Sequence, residues 1–170
     1  MIVDLTDTGP WPREFNLTIE SKDVELGTAN ARLVGVVKAR GSVEIRAGWF
    51  EVDGYIEGKA EIDCSRCLEP VARGISIPFN VRFVKPEEVG EAHEREIDTG
   101  DLDSSEIEND QIDLKEVIRE QILLDLPEQV FCKEDCKGLC PKCGANRNLI
   151  DCGCEDEDID PRWAALKDLK

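Results

Sequence analysis

No apolar run in this chain approaches the roughly 20 residues that a membrane-spanning helix needs. Its first residues, MIVDLTDTGPWPREF, also lack the basic-then-apolar layout of a secretory leader. Both absences lead to the expectation of a soluble, cytoplasmic protein with no membrane association. Histidine is almost missing too: His93 is the only one. It has no ligand-spaced neighbour and is read as a solvated bystander, neither metal ligand nor base. There is no phosphate-cradling glycine loop and no nucleophile elbow, and a cysteine nucleophile would have no base except His93. The sequence therefore assembles no catalytic site and no small-molecule pocket, and an enzyme is not expected.

Cysteine, by contrast, is plentiful. Six of the eight cysteines fall between Cys132 and Cys154, in CKEDCKGLCPKCGANRNLIDCGC, and the other two form a C-x2-C at Cys64 and Cys67. In a reducing cytoplasm such close pairs favour a soft metal over disulfides. The Leu139-Cys140-Pro141-Lys142-Cys143-Gly144 stretch has the form of a zinc knuckle. Pro141 presets a turn dihedral, Gly144 permits a positive φ after the second cysteine, and the turn leaves backbone N–H groups free to donate to sulfur. Cys152 and Cys154, spaced by Gly153, supply two further ligands for a first tetrahedral site. Cys64, Cys67, Cys132 and Cys136 then make a second, which would staple the helix end to the sheet. A zinc ribbon of Cys64, Cys67, Cys140 and Cys143 satisfies the same count, as does one site with four spare thiols, so one or two Zn2+ ions are expected. All-thiolate coordination is closed and leaves no water position, which favours structural over catalytic zinc. The usual ferredoxin spacings are absent, which disfavours an iron–sulfur cluster.

The charge is unevenly placed. Of the formal net charge of -17, residues 86–116 carry thirteen acids against Arg95 and Lys115, whereas residues 1–85 carry thirteen acids against eleven bases. Residues 132–150 are locally positive, with Lys133, Lys137, Lys142 and Arg147 against Glu134 and Asp135. A duplex-coating nucleic-acid binder normally has the opposite overall sign. The pattern points to a basic protein partner, or to small local RNA contacts.

Along the chain, PREFNLTIE alternates as a strand does, and Leu33–Lys38, Ser42–Arg46, Trp49–Val52, Tyr55–Ile62 and Ile75–Val84 read as further strands separated at Gly41, Gly48, Gly54 and Gly74. The period of two, with Val43, Ile45, Phe79, Val81 and Phe83 inward, predicts an antiparallel sheet with one packed face. Asp113 caps a helix in capping-box fashion with Glu116; Leu114, Val117, Ile118, Gln121, Ile122 and Leu124 follow at helical spacing, and Pro127 ends it. The expected fold is α+β: an antiparallel β meander (1–85), an acidic mobile loop (86–112), one packing helix (113–127) and a cysteine-rich zinc-binding subdomain (128–170), all in one overall domain. A short C-terminal helix bearing Trp163 and Leu166 closes it.

CSRCLEP, the acidic gap, LLDLPEQVFC, CKEDCKGLCPKCGANRN, CGC and DPRWAALKDL together resemble the YceD family, the large ribosomal RNA subunit accumulation proteins. The resemblance runs from about Cys64 to the C-terminus, with Arg147 standing where the family's usual NLN has leucine. It implies a small bacterial protein with plastid relatives, needed for normal accumulation of large-subunit ribosomal RNA, and it brings no catalytic residues. Two modes of action follow. The acidic loop would hold a basic large-subunit ribosomal protein until it meets RNA, or Lys133, Lys137, Lys142 and Arg147, with sheet arginines such as Arg46, Arg73 and Arg82, would touch precursor ribosomal RNA. A zinc-stapled protein-interaction module without direct RNA contact is the plainer alternative.

Overall fold

The computed structural model describes residues 1–85, 104–107, 109–154 and 162. His93, much of the acidic stretch, and the expected C-terminal helix around Trp163 and Leu166 lie outside the described residues. Among the described residues eight strands and one α-helix follow in order: β1 (Ile2–Asp4), β2 (Arg13–Glu20), β3 (Ala31–Leu33), β4 (Val36–Ile45), β5 (Trp49–Asp63), β6 (Pro70–Val84), β7 (Ser104–Glu106), β8 (Gln111–Asp113) and α1 (Leu114–Asp125). β4, β5 and β6 form an antiparallel meander, β2 extends it beside β4, and β3 pairs with the far end of β5. β7 joins β6 in parallel, while β1 and β8 form a separate antiparallel pair. Two short segments expected within the acidic loop, Ser104–Glu106 and Gln111–Asp113, are thus strands.

Gly41 and Gly54 do not separate strands. They sit opposite one another inside the long strands β4 and β5, in register with each other. The rings of Phe15 and Phe79 occupy the space their side chains would need: a Cβ on Gly41 would lie 2.8 Å from Phe15 and 2.0 Å from the Asp53 carbonyl, and one on Gly54 would lie 2.7 Å from Phe79. These glycines mark close backbone and ring approach, which interrupts a hydrophobic pattern without interrupting a strand. Gly48, at φ 95°, does turn the β4–β5 hairpin.

The inward alternation is realised by Val37, Ala39, Val43, Val52, Ile56, Ala60, Ile75, Ile77, Phe79 and Phe83, all buried. Ile45, expected inward, is half exposed because β4 ends there. Asp113 caps α1 by accepting from the Lys115 N–H at 3.0 Å, and Glu116 turns to Arg119 at 2.6 Å. Leu114, Val117, Ile118 and Ile122 are buried in one core with the sheet, each such side chain contributing about 2 kcal/mol. Leu124, expected on this stripe, is exposed. It stands at the margin of the stripe in the last turn of α1, seven residues past Val117 and on nearly the same side of a helix that turns every 3.6 residues. Among the described residues no helix is long and apolar enough to cross a membrane.

Two candidate metal centres

The end of β5 delivers Cys64 into a tight turn. The Cys64 N–H donates to the Glu69 carbonyl at 2.8 Å, and the Leu68 N–H donates back to the Cys64 carbonyl at 2.9 Å. These closures bring the Cys64 and Cys67 sulfurs to one side of the turn and start β6 at Pro70. The segment after α1 then docks on this turn: the Ser65 N–H donates to the Val130 carbonyl at 2.8 Å, and the Val130 N–H donates to Ser65 Oγ at 3.1 Å. Arg66 reaches across, donating to the carbonyls of Cys136 (3.1 Å) and Glu134 (3.3 Å) while its guanidinium covers the Phe131 ring at 4.4 Å.

The result is a group of four thiols, Cys64, Cys67, Cys132 and Cys136, whose sulfurs all lie within 4.8 Å of one another. Cys64 and Cys136 are 3.8 Å apart and Cys67 and Cys132 are 3.5 Å apart. Four sulfurs about 2.3 Å from a tetrahedral zinc stand about 3.8 Å from each other, so this spacing fits a single metal ion. It is well beyond a disulfide bond of about 2.05 Å.

Cys140, Cys143, Cys152 and Cys154 form the second group, with the same mutual reach. Its knuckle repeats the first turn bond for bond. The Cys140 N–H donates to the Ala145 carbonyl at 2.8 Å, the Gly144 N–H donates to the Cys140 carbonyl at 2.8 Å, and Gly144 has φ 73°. Leu139 and Asn146 close the hairpin as an antiparallel bridge. Gly153, at φ 61°, swings the chain so that Cys152 and Cys154 face the same centre.

Electrostatics inside each group already separates the sulfurs. Burial pushes the Cys64 thiol up, yet the backbone N–H groups of Arg66, Cys132 and Cys67 together hold it down at about 6, against an ordinary 9.0. Backbone donors of Cys143 and Lys142 likewise hold Cys140 at about 6, and the Asn148 amide lowers Cys136. Burial and the neighbouring sulfurs push Cys132 up to about 12. Donation of the Cys154 S–H to the Cys143 and Cys152 sulfurs, with burial, does the same for Cys154. Each cluster thus pairs a stabilised thiolate with a thiol that keeps its proton until a cation displaces it.

The basic residues read from the sequence are dispersed. Lys137 and Arg147 line one hollow of about 670 Å³ together with Asn148, Leu149, Ile150 and Asp151. Lys142 is exposed on the second knuckle, and Lys133 faces Asp135 at 3.9 Å. Of the sheet arginines, Arg46 is held by Glu44 and Glu51, both at 2.8 Å. Arg82 lies 4.5 Å over Trp49, and Arg73 is exposed. Sequence reasoning assigned no role to Arg66, Asn146 or Asn148. The available signal was two short amides flanking Arg147 between two ligand pairs, where donors to sulfur are needed.

A sheet-plus-helix chain carrying two four-thiol groups, one closed onto the sheet and the other onto a following hairpin, is an α+β protein with two clustered sets of cysteines. The chain belongs to the YceD family: the family model, described as large ribosomal RNA subunit accumulation protein YceD, matches residues 52–170, a span that contains all eight cysteines. It is 29% identical to the uncharacterized protein YlbN of Bacillus subtilis over 161 residues, 92% of this chain and 87% of YlbN. An uncharacterized protein of Mycobacterium tuberculosis H37Rv is 31% identical over 118 residues, 69% of this chain and 54% of that protein. The chloroplastic large ribosomal RNA subunit accumulation protein YCED homolog 1 of Zea mays is 27% identical over 137 residues, 67% of this chain and 47% of that protein. The chain therefore spans about half the length of the mycobacterial and maize relatives. No solved structure matches it.

Proposed function

We propose that this protein is a non-enzymatic, cytoplasmic factor in the accumulation of large-subunit ribosomal RNA, with zinc in both four-cysteine clusters and a knuckle face that touches precursor RNA. The family name supports the process. Four thiolates per ion give a closed site, so bound zinc would supply cross-linking of the fold and no activated water. Zinc suits such soft donors, and the spacing of the sulfurs suits its tetrahedral preference.

The observation that carries the RNA reading is the hollow where Lys137 and Arg147 stand beside the exposed side chains of Leu149 and Ile150. Cations beside an apolar step offer a phosphate and an unstacked base complementary surfaces, without the broad basic face a duplex needs. The test is fluorescence anisotropy of the zinc-loaded chain on transcripts covering the large-subunit precursor. Lys137→Glu/Arg147→Glu should weaken binding at least tenfold with zinc content unchanged. Equal binding by that variant overturns the reading.

One observation favours a second reading: thirteen acids stand against two bases in residues 86–116, a charge suited to a basic large-subunit ribosomal protein. Replacing the acids between residues 87 and 103 with Gln or Asn, which leaves β7 and the buried Ile107 in place, separates the two. It abolishes capture of the basic protein under the second reading, and it leaves or strengthens RNA binding under the first.

A further inference from the structure

The two cysteine groups are adjacent in sequence, Cys136 preceding Cys140 by four residues, and the segment between them is gripped from both sides. From the first group, the Arg66 carbonyl accepts the Leu139 N–H at 2.9 Å, and a Cβ on Gly138 would lie 3.0 Å from that same oxygen. From the second hairpin, the Arg147 N–H donates to the Gly138 carbonyl at 2.9 Å, and Asn148 Oδ1 accepts the Lys137 N–H at 2.9 Å. Asn148 belongs to the loop that runs from Cys143 to Cys152, both in the second group. Its Nδ2 nevertheless donates to Cys136 Sγ, in the first group, at 3.3 Å. Asn146 Oδ1 accepts from both the Asn148 backbone N–H (3.0 Å) and Nδ2 (2.9 Å), and Asn146 Nδ2 reaches Glu69 Oε1, beside the first turn, at 3.3 Å.

We infer that Asn148 is the positioning residue through which the two centres share their metal-binding energy, so that each ion binds more tightly when the other is in place. The inference rests on the proposal that both clusters hold metal. A donor to a ligating sulfur disperses the charge that the metal leaves on it, and loss of such a partner typically weakens metal binding by 10–100-fold. Asn148 can hold that donor in place only when its own loop is closed, and the loop is closed by Cys143 and Cys152 meeting at the second centre. The second ion thereby fixes a donor to the first. Thermodynamic linkage requires the first to stabilise the second by the same factor. No change of overall shape is needed, because the coupling element is one loop whose ordering cost is met once and serves both ions.

The test uses the full-length chain loaded with Co2+ and challenged with a competing chelator. It is read through the sulfur-to-cobalt charge-transfer band, which counts metal–thiolate bonds and shifts when a hydrogen bond to sulfur is lost. Cys64→Ser/Cys67→Ser and Cys152→Ser/Cys154→Ser each leave one centre. The remaining ion should in each case be held at least tenfold more weakly than in the parent chain, by equal factors. Asn148→Ala keeps all eight thiols, and should weaken the first centre by that same factor and shift its band. In that background, disabling the second centre should cost the first less than twofold more.

Two ions released independently from the parent chain, or an Asn148→Ala chain with unchanged affinity and spectrum, overturn the coupling and leave the metal reading intact. A chain that takes up no Co2+ overturns the metal reading itself. Should Cys152→Ser/Cys154→Ser fail to fold, Asn148→Ala against Asn148→Asp decides. Both lack the N–H donor, so both should weaken the first centre, and retained affinity in either is a refutation.

Discussion

Leu68 stands in the first cysteine turn where Gly144 stands in the second, one residue past the second cysteine, and both have positive φ, 60° and 73°. The same pair of backbone hydrogen bonds closes each turn, so the conformation is imposed by closure whichever residue occupies the position. Leucine is strained there by roughly 1–2 kcal/mol, whereas glycine is not. The Leu68 side chain is exposed, so shortening it sacrifices no core packing. Leu68→Gly should therefore stabilise the metal-loaded protein by up to about 1 kcal/mol, and Gly144→Ala should destabilise it by about the same amount. Denaturant midpoints at unchanged m-value check both, and a Leu68→Gly chain that is less stable than the parent refutes the argument.

The glycines of the sheet are not equivalent. A Cβ on Gly41 meets the Asp53 carbonyl at 2.0 Å and the Phe15 ring at 2.8 Å, whereas one on Gly74 meets nothing within 4 Å. Gly41→Ala must push backbone as well as ring, at a cost of about 3 kcal/mol. Gly74→Ala should stay within about 0.5 kcal/mol of the parent. Thermal unfolding of the two variants side by side gives the comparison, and equal melting temperatures would contradict the close β4–β5 approach at Gly41 and Gly54.

This contrast also shows what the sequence exposes and what it conceals. The inward residues of the meander, the Asp113 cap and the knuckle at Cys140–Gly144 were legible because each is a local pattern: a period of two, a cap before a helical stripe, a turn residue after a ligand pair. Gly41 and Gly54 misled because glycine reads alike whether it turns a chain or admits a ring from a neighbouring strand, and only pairing distinguishes the two. The partition of eight thiols into two fours was open at the level of spacing. The structure gathers Cys64 and Cys67 with Cys132 and Cys136 because the segment after α1 docks on the Ser65 backbone and side chain, a long-range contact that no local pattern encodes. Leu68 carried no signal either, since leucine does not advertise a positive φ.

Metal retention should fall as pH falls. In the metal-free clusters Cys132 and Cys154 stand at about 12, so at neutral pH each keeps a proton that a metal ion must displace. Cys64 and Cys140, at about 6, are already largely thiolate there and begin to take up protons below that pH. The logarithm of the affinity should therefore rise by at least one per pH unit and per site near pH 7, and more steeply below pH 6. Chelator competition between pH 5.5 and 8, at roughly half-unit steps, checks the slope. A flat profile would contradict the protonation pattern.

Stripping the metal should divide the molecule along the boundary between its two buried clusters. The large core joins the sheet and α1 and contains no cysteine. The small one consists of Cys64, Cys67 and Cys136, with Val71 and Leu139 packed against it among the described residues. Between Val130 and Cys154 the described chain has no strand or helix beyond the single Leu139–Asn146 bridge. Apolar burial there is too small to offset the entropy of ordering some two dozen residues at about 1–2 kcal/mol each. Metal binding, on the order of 10 kcal/mol per structural zinc site, would supply the missing term. Chelation should then remove hydrogen-exchange protection from the amides of Leu139, Cys140, Gly144 and Arg147, which donate to Arg66, Ala145, Cys140 and Gly138 carbonyls, while β4, β5 and β6 keep theirs. Hydrogen exchange with and without chelator resolves the two regions. Knuckle amides that stay protected without metal would show that packing alone closes these turns. Simultaneous loss from sheet and knuckles would show that the metal-held turn at Cys64 and Cys67, which joins β5 to β6, holds the sheet as well.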